Sequence, residues 1–481
     1  MPERADLDSF FAPASVAVVG ASPTEGKGGY GIIHNIVDSF EGPVYPVNPG
    51  RDEILGLRCY PSLRELRGKV EMAIIFVPAA RVPGVLEDAV EAGVKAALIE
   101  SGGFAEVGGE GLLLSDRCKE ISERSGLRIW GPNCTGLVNT EPFIFAPFML
   151  LRKARERLKP GRLGIISQSG MLAAGFLIQY VISGFFTTSK ACAIGNKLDV
   201  DEVEVLRYLA EDPKTEAVIA YLESIEDGQG FLQVAREMAG RKPLAVIKGG
   251  RYEESARAAL SHTASMAGSD EIVDGALRQA GVFRLEDFHD LMNVGKAFSL
   301  HPGPFNLATE EANNIAIVTV TGGAGVATVD MARSSGMNIA NLGERTLNNL
   351  AKVFPDWMPP GNPVDIWPAF EQRGTDTFVE VLREVLADDQ VDGVILLPFA
   401  DRTMEYFPFD KVGKELQKHG KAMVSWIFGD MRYSKLFEEC WGEFGVPVYT
   451  DIRSCVLAME AYLQFSKAAR SKAGEGRQRK V

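Results

Sequence analysis

Apolar runs three to seven residues long alternate with helix-length amphipathic stretches along almost the whole chain. The first series lies at 15–20, 43–47, 72–77, 96–99 and 128–130, with helical periodicity at 30–40, 82–92 and 111–125. Runs this short, apolar at consecutive positions and closed by Gly, Pro or Asn, predict strands buried on both faces. Their alternation with helices predicts a parallel, doubly wound α/β sheet. A second series occupies 162–166, 190–194, 217–223 and 243–248, with an apolar helix at 171–181. A third occupies 315–320, 391–397 and 445–449, with a helix at 326–335. The stretch 151–160 holds five basic residues in ten, and 301–304 reads His-Pro-Gly-Pro, so both are linkers. The predicted organisation is a domain at 1–150, a second at 160–305, a third at 310–468, and a polar tail at 469–481 expected to be disordered.

Composition narrows the partners. The chain has 481 residues, 46% of them hydrophobic and 24% charged, with a formal charge of −13. Roughly three domains of about 150 residues fit that length. Net acidity with only a short basic tail argues against nucleic acid. Six scattered cysteines without C-x-x-C or zinc spacing predict no metal site and a reducing, cytoplasmic setting. No apolar run is long enough to span a membrane, and the first residues carry no secretory pattern.

The strand ends carry the candidate chemistry. After the first strand come Gly20, Ala21, Ser22 and Pro23, then Gly26, Gly28 and Gly29 before a helix. Strand, glycine-rich loop and helix can present backbone N–H groups to a phosphate. The spacing is neither G-x-G-x-x-G nor a Walker loop, and a plain tight turn is the other reading. Asn48-Pro49, Pro78, Glu100-Ser101-Gly102 and Gly131-Pro132-Asn133 close the following strands, so four polar ends share one sheet edge. In the second series, Ser167-Gln168-Ser169-Gly170 precedes a helix, which suits either capping or an anion site. Glu223 closes a strand and His262 follows another, within Ser261-His262-Thr263-Ala264-Ser265-Met266. A carboxylate on that edge can hold one imidazole nitrogen and leave the other free as a nucleophile. The third series repeats the pattern at Thr321-Gly322-Gly323-Ala324-Gly325. Glu223 as an ordinary exposed strand-end acid, and His262 as an incidental loop residue, are the plainer alternatives.

These pieces, in this order, resemble the nucleoside-diphosphate-forming acyl-CoA synthetases, which include succinyl-CoA synthetase and the ADP-forming acetyl-CoA synthetases. The resemblance spans about residues 10–465. It implies an N-terminal Rossmann-like CoA-binding domain followed by two flavodoxin-like, succinyl-CoA synthetase-like domains. It implies that Gly20, Ala21, Ser22 and Pro23 cradle CoA phosphates, with Arg51 nearby. Asn48, Pro49, Val77, Pro78 and Asn133 would also bind CoA, and Glu100, Ser101 and Gly102 would lie along its pantetheine. By the same resemblance His262 is a phosphohistidine and Glu223 its orienting carboxylate. Two helix starts, one at Ser167, Ser169 and Gly170 and one at Gly322, Gly323, Ala324 and Gly325, would hold its phosphate. Ala264 and Met266 depart from the family's usual glycine and leucine. Ala174 stands where succinate-specific relatives carry tyrosine, which disfavours succinate without choosing another acid.

The expected function is that of an alpha-type subunit of an ADP-forming acid–CoA ligase. It would act on a carboxylic acid, CoA and phosphate within a hetero-oligomer. None of the three series reads as an ATP-grasp domain, so ATP or ADP with Mg2+ is expected on a separate beta-type subunit. A non-catalytic CoA- or acyl-CoA-sensing protein is the runner-up, and an NAD-dependent dehydrogenase a distant third.

Overall fold

The computed structural model describes residues 7–252, 254–255 and 270–478. The chain forms two units, one of Met1–Met238 with Leu244–Glu286, the other of Ala239–Pro243 with Asp287–Val481. The first unit contains two sheets. Strands β1 (Val16–Val19), β2 (Val44–Val47), β3 (Met72–Ile75), β4 (Ala96–Ile99) and β5 (Arg128–Trp130) pair in parallel, in the order β2-β1-β3-β4-β5. Every residue of β1, β3 and β4 is buried, as continuous apolar runs covered on both faces require.

The second sheet adds β6 (Leu137–Thr140), β7 (Phe143–Phe145), β8 (Pro160–Ser167), β9 (Thr188–Ala193), β10 (Ala217–Leu222), β11 (Leu244–Lys248) and β12 (Phe283–Leu285). Their order is β12-β11-β10-β8-β9-β6-β7. The last three strands of that order pair antiparallel, so the hairpin β6–β7 caps an edge that would otherwise expose its unpaired N–H and C=O groups.

The third sheet lies in the second unit. It comprises β13 (Asn314–Thr319), β14 (Asn338–Ile339), β15 (Val364–Asp365), β16 (Gly393–Leu397), β17 (Ala422–Trp426) and β18 (Val448–Tyr449), all parallel. The order is β14-β13-β16-β17-β18, with β15 also on β13.

The sheets and compact units group parts of the chain differently from the expected domains. The hairpin β6–β7, placed within 1–150 by its position in the chain, joins the second sheet. The first two expected domains share one core, in which Trp130, Leu137, Ile166, Cys192 and Val205 belong to a single buried cluster. Trp130 Nε1 donates to Ala193 O at 2.7 Å across the two sheets. The helix Phe288–Leu300 falls in the second unit, where Asn293 donates to Ser454 Oγ at 2.8 Å and Tyr462 donates its hydroxyl hydrogen to Ala297 O at 2.7 Å. The polar tail is helical as far as Gln478, because the last helix, Ile452–Gln478, continues beyond its buried part.

In each sheet the chain leaves one strand to its first neighbour on one side and returns to the other side. These switch points lie beside β1, β8 and β13. In open α/β sheets a crevice beyond the carboxyl ends of the strands is expected at such points.

Candidate active site

The first crevice is shaped by a close approach of backbone to backbone. Gly20 has φ 87°, and a Cβ there would lie 2.2 Å from Phe76 O. The helix Gly28–Ser39 starts against it, since a Cβ on Gly29 would lie 2.0 Å from Gly20 O. Asn48 ties two strand ends together: Nδ2 donates to Ala21 O at 2.8 Å, and Oδ1 accepts from Gly50 N at 2.9 Å. Ser22 Oγ accepts from Thr24 N at 3.1 Å, and Pro23, Pro49 and Arg51 are exposed at the rim. Val77 N donates to Ser101 Oγ at 3.1 Å, just ahead of Pro78, and Asn133 N donates to Ser101 O at 2.9 Å. Gly102 is exposed beside Asn133, where a Cβ would stand 3.1 Å from Asn133 Oδ1. Gly20, Ala21, Asn48, Val77, Ser101, Gly102 and Asn133 thus come together on one edge.

Glu100 differs from the rest of that group. Its carboxylate is buried, the residue is 4% exposed, and among the described residues neither oxygen has a hydrogen-bond partner. A Cβ on Gly136 would lie 2.6 Å from Glu100 Oε1, so the side chain is turned beneath that loop. Burial pushes its pKa well above the ordinary value, and the nearby Phe148 backbone offsets only part of this. Folded Glu100 keeps its proton to higher pH than the unfolded chain does. Its contribution to stability is therefore full below about pH 4.3 and drains away as pH rises above it. Glu100→Gln is expected to lose less thermal stability than the native chain between pH 5 and pH 8. Equal losses would show that another group is responsible.

The second crevice adjoins the first. Asn133 Nδ2 donates to Asn196 Oδ1 at 3.2 Å, and Asn196 N donates to Pro132 O at 2.9 Å. Glu106 joins both sheets, accepting from Gly103 N and from Asn196 Nδ2 at 2.6 Å. Thr135 Oγ1 donates to Gly170 O at 3.0 Å, so the loop from β5 reaches the start of the helix Gly170–Phe176. Ser167 Oγ donates to Ser169 O at 2.9 Å and shapes the turn before that helix.

Glu223 follows β10 and stands next to this turn, because β8 pairs β10 with Ser167 opposite Tyr221. Gln168 Oε1 accepts the N–H of Glu223 at 2.8 Å, and the Tyr221 hydroxyl donates to Glu223 Oε1 at 3.3 Å. Burial, reinforced by the Glu223 charge, pushes the Tyr221 phenol up to about 12. Lys248 Nζ donates to Glu223 O at 2.7 Å and to Gly249 O at 2.6 Å. Burial pulls its pKa down, and so do the charges of Arg284 and Lys197.

His262, with Ala264 and Met266, lies outside the described residues. The residues on either side of that stretch meet at the foot of β11. Arg251 Nε is 3.2 Å from Asp270 Oδ2, Arg284 also pairs with Asp270, and Arg251 Nη1 is 2.7 Å from Glu286. Sequence reasoning overlooked Gln168, Asn196, Lys197, Ser224 and Lys248 as working parts. Their motifs were visible, but which side chains turn inward is set by strand pairing.

In the second unit, the helix Gly322–Ser334 begins after β13, with Gly322 and Gly323 exposed and Ala324 partly so. Thr319 Oγ1 donates to Thr321 O at 2.9 Å, the same turn geometry as Ser167 with Ser169. Gly325 is buried, and a Cβ there would lie 3.2 Å from Thr319 Cγ2. Each helix start offers unpaired N–H groups worth roughly 0.3–1 kcal/mol toward an anion. Asp287, His289 and Asp290 have ligand atoms within 4.8 Å of one another, but Asp290 pairs with Arg453 and Asp287 caps a helix. No described helix is long and apolar enough to cross a membrane.

Known proteins match this arrangement. Residues 14–140 match a family described as a CoA binding domain, and 160–298 one described as a succinyl-CoA ligase-like flavodoxin domain. Acetate–CoA ligase (ADP-forming) II of Archaeoglobus fulgidus is 37% identical over 96% of this chain and 67% of its own length. The alpha subunit of acetate–CoA ligase (ADP-forming) I of Pyrococcus furiosus is 34% identical over 96% of this chain and 98% of its own. A solved structure, the dinucleotide forming acetyl-coenzyme A synthetase 1 of Ca. Korarchaeum cryptofilum with phosphate and ADP, has a TM-score of 0.83 at 30% identity. It covers 97% of this chain and 99% of its own. The chain belongs to the family of ADP-forming acetate–CoA ligases, and it matches their separate alpha subunits along nearly their whole length.

Proposed function

We propose that this chain is the CoA- and phosphate-handling subunit of an ADP-forming acid–CoA ligase. It would turn a carboxylic acid, CoA and ATP reversibly into acyl-CoA, ADP and phosphate. The observation that carries this reading is the contact of the two crevices. Thr135 and Asn133, on the loop that ends the first sheet, bond to Gly170 and Asn196 on the second. A thiol bound along the first crevice is then delivered to the place where the second holds a phosphate.

In the ATP-consuming direction, His262 takes the phosphoryl group and Glu223 orients its imidazole. The acid's carboxylate oxygen attacks phosphorus, the N–P bond breaks, and an acyl phosphate forms. The CoA sulfur then attacks the acyl carbon, the C–O bond breaks, and phosphate leaves toward the helix start at Gly170. A beta-type ATP-grasp partner would hold ATP or ADP with Mg2+, in keeping with the alpha-subunit names of the Pyrococcus relatives. The six free cysteines, five of them buried, suit a reducing cytoplasm.

The test combines the chain and such a partner with ATP, CoA and a panel of carboxylic acids. Thioester and ADP are expected in equal amounts for at least one acid. Formation of AMP and pyrophosphate, or no thioester from any acid, would refute the reading.

A further inference from the structure

Lys197 combines two features that work against stability. Its backbone is left-handed, with φ 55°, although it is not glycine. Its ammonium lies 2.8 Å from Glu202 Oε2, with both side chains only 1% exposed. A left-handed non-glycine residue is uncommon, and desolvating two charges offsets most of their attraction. Features of this kind, held in place by their surroundings, point to a positional role.

The other contacts of the ammonium indicate what is positioned. Lys197 Nζ donates to Ser224 Oγ at 3.0 Å and to Ser224 O at 3.2 Å. Ser224 Oγ also accepts from Gln168 Nε2 at 3.0 Å. Gln168 Oε1 accepts from both Glu223 N, at 2.8 Å, and Ser224 N, at 3.0 Å. Glu202 closes the other end, its Oε1 accepting from Glu226 N at 3.1 Å. One buried chain of hydrogen bonds therefore joins the ion pair to the residue that carries the Glu223 carboxylate. It also passes through the serine turn, since Gln168 lies between Ser167 and Ser169. The Gln168 amide can satisfy both strands only in one orientation, and the lysine-held serine selects that orientation.

We propose that Lys197 is a positioning residue that acts through Ser224 and Gln168, fixing Glu223 relative to the Ser167–Gly170 turn. The inference rests on the role given to Glu223 above.

The test uses the full chain with its nucleotide-binding partner. Lys197→Met/Glu202→Gln removes both charges at nearly constant volume and avoids leaving a bare buried carboxylate. It is expected to lower kcat about 10- to 100-fold, as loss of an orienting partner does, and to leave KM for CoA within about threefold. In a Glu223→Gln background the same pair of changes should lower kcat by no more than about twofold further, because residues acting as one unit are not additive. Full turnover of Lys197→Met/Glu202→Gln, alongside an impaired Glu223→Gln, would overturn this inference alone. Additive losses, or a kcat loss matched by equal weakening of CoA binding, would do the same. A fully active Glu223→Gln would overturn both the inference and the role of Glu223.

Discussion

His262→Ala, assembled with a nucleotide-binding partner, is expected to take up no acid-labile phosphate from labelled ATP and to lose turnover by at least about 10^3-fold. The size follows from the chemistry. A covalent carrier divides a transfer between two sites into two steps, and without its imidazole nitrogen neither step has an acceptor. Glu223→Gln should be milder, about 10- to 100-fold, because the amide keeps the hydrogen bond from Tyr221 but not the charge that favours a particular tautomer. CoA binding should stay the same in both variants, since no residue of the first crevice is changed. Undiminished label on His262→Ala would show that the phosphate sits elsewhere. Loss of CoA binding would show that the substitution acts through folding.

Gly20→Ala is the second large effect, and it comes from geometry at the switch point of the first sheet. A Cβ at Gly20 would lie 2.2 Å from Phe76 O, while the backbone is held at φ 87° by the bond from Gly20 N to Val47 O, 2.9 Å. Backbone strain of roughly 1–3 kcal/mol and overpacking of roughly 1–3 kcal/mol act together there, so a total of about 2–6 kcal/mol is expected. Gly26 is the control. Its φ is 80°, but nothing lies within 4 Å of a Cβ there, so Gly26→Ala should show only the strain. The denaturation midpoints of the two variants and their affinities for CoA measure the difference. CoA affinity should fall more than tenfold in Gly20→Ala, whose turn must open, and little in Gly26→Ala (about 1.4 kcal/mol corresponds to tenfold). If the two variants behave alike, the close approach to Phe76 is not what shapes the crevice.

Much of this could be read from residue order. Continuous apolar runs such as Met72–Ile75 and Gly393–Leu397 are buried at every position, because strands covered on both faces tolerate no polar residue. Gly20, Asn48, Ser101 and Asn133 were legible as a group because each ends such a run, and parallel strands bring their ends to one edge. Ser167–Gly170 and Thr321–Gly325 were legible as helix starts for the same reason. Glu100 shows where that logic stops. Its place at a strand end is as expected, yet its side chain is buried beneath Gly136. Side-chain direction at a strand end depends on what the neighbouring loop leaves open.

Residue order by itself determined the class of fold, the strand-end residues and the two turns of matching geometry, because each depends on neighbours within about ten positions. Only the tertiary structure decided that the hairpin β6–β7 completes the second sheet, that the first two sheets share a core, and that the strands at Gly20, Ser167 and Thr319 each lie beside a switch point. It also decided that Lys197 is buried against Glu202 and tied through Gln168 to Glu223, residues 55 positions apart. Such pairings depend on the order in which strands lie side by side. That order follows from long-range burial and hydrogen bonding, which no local pattern records.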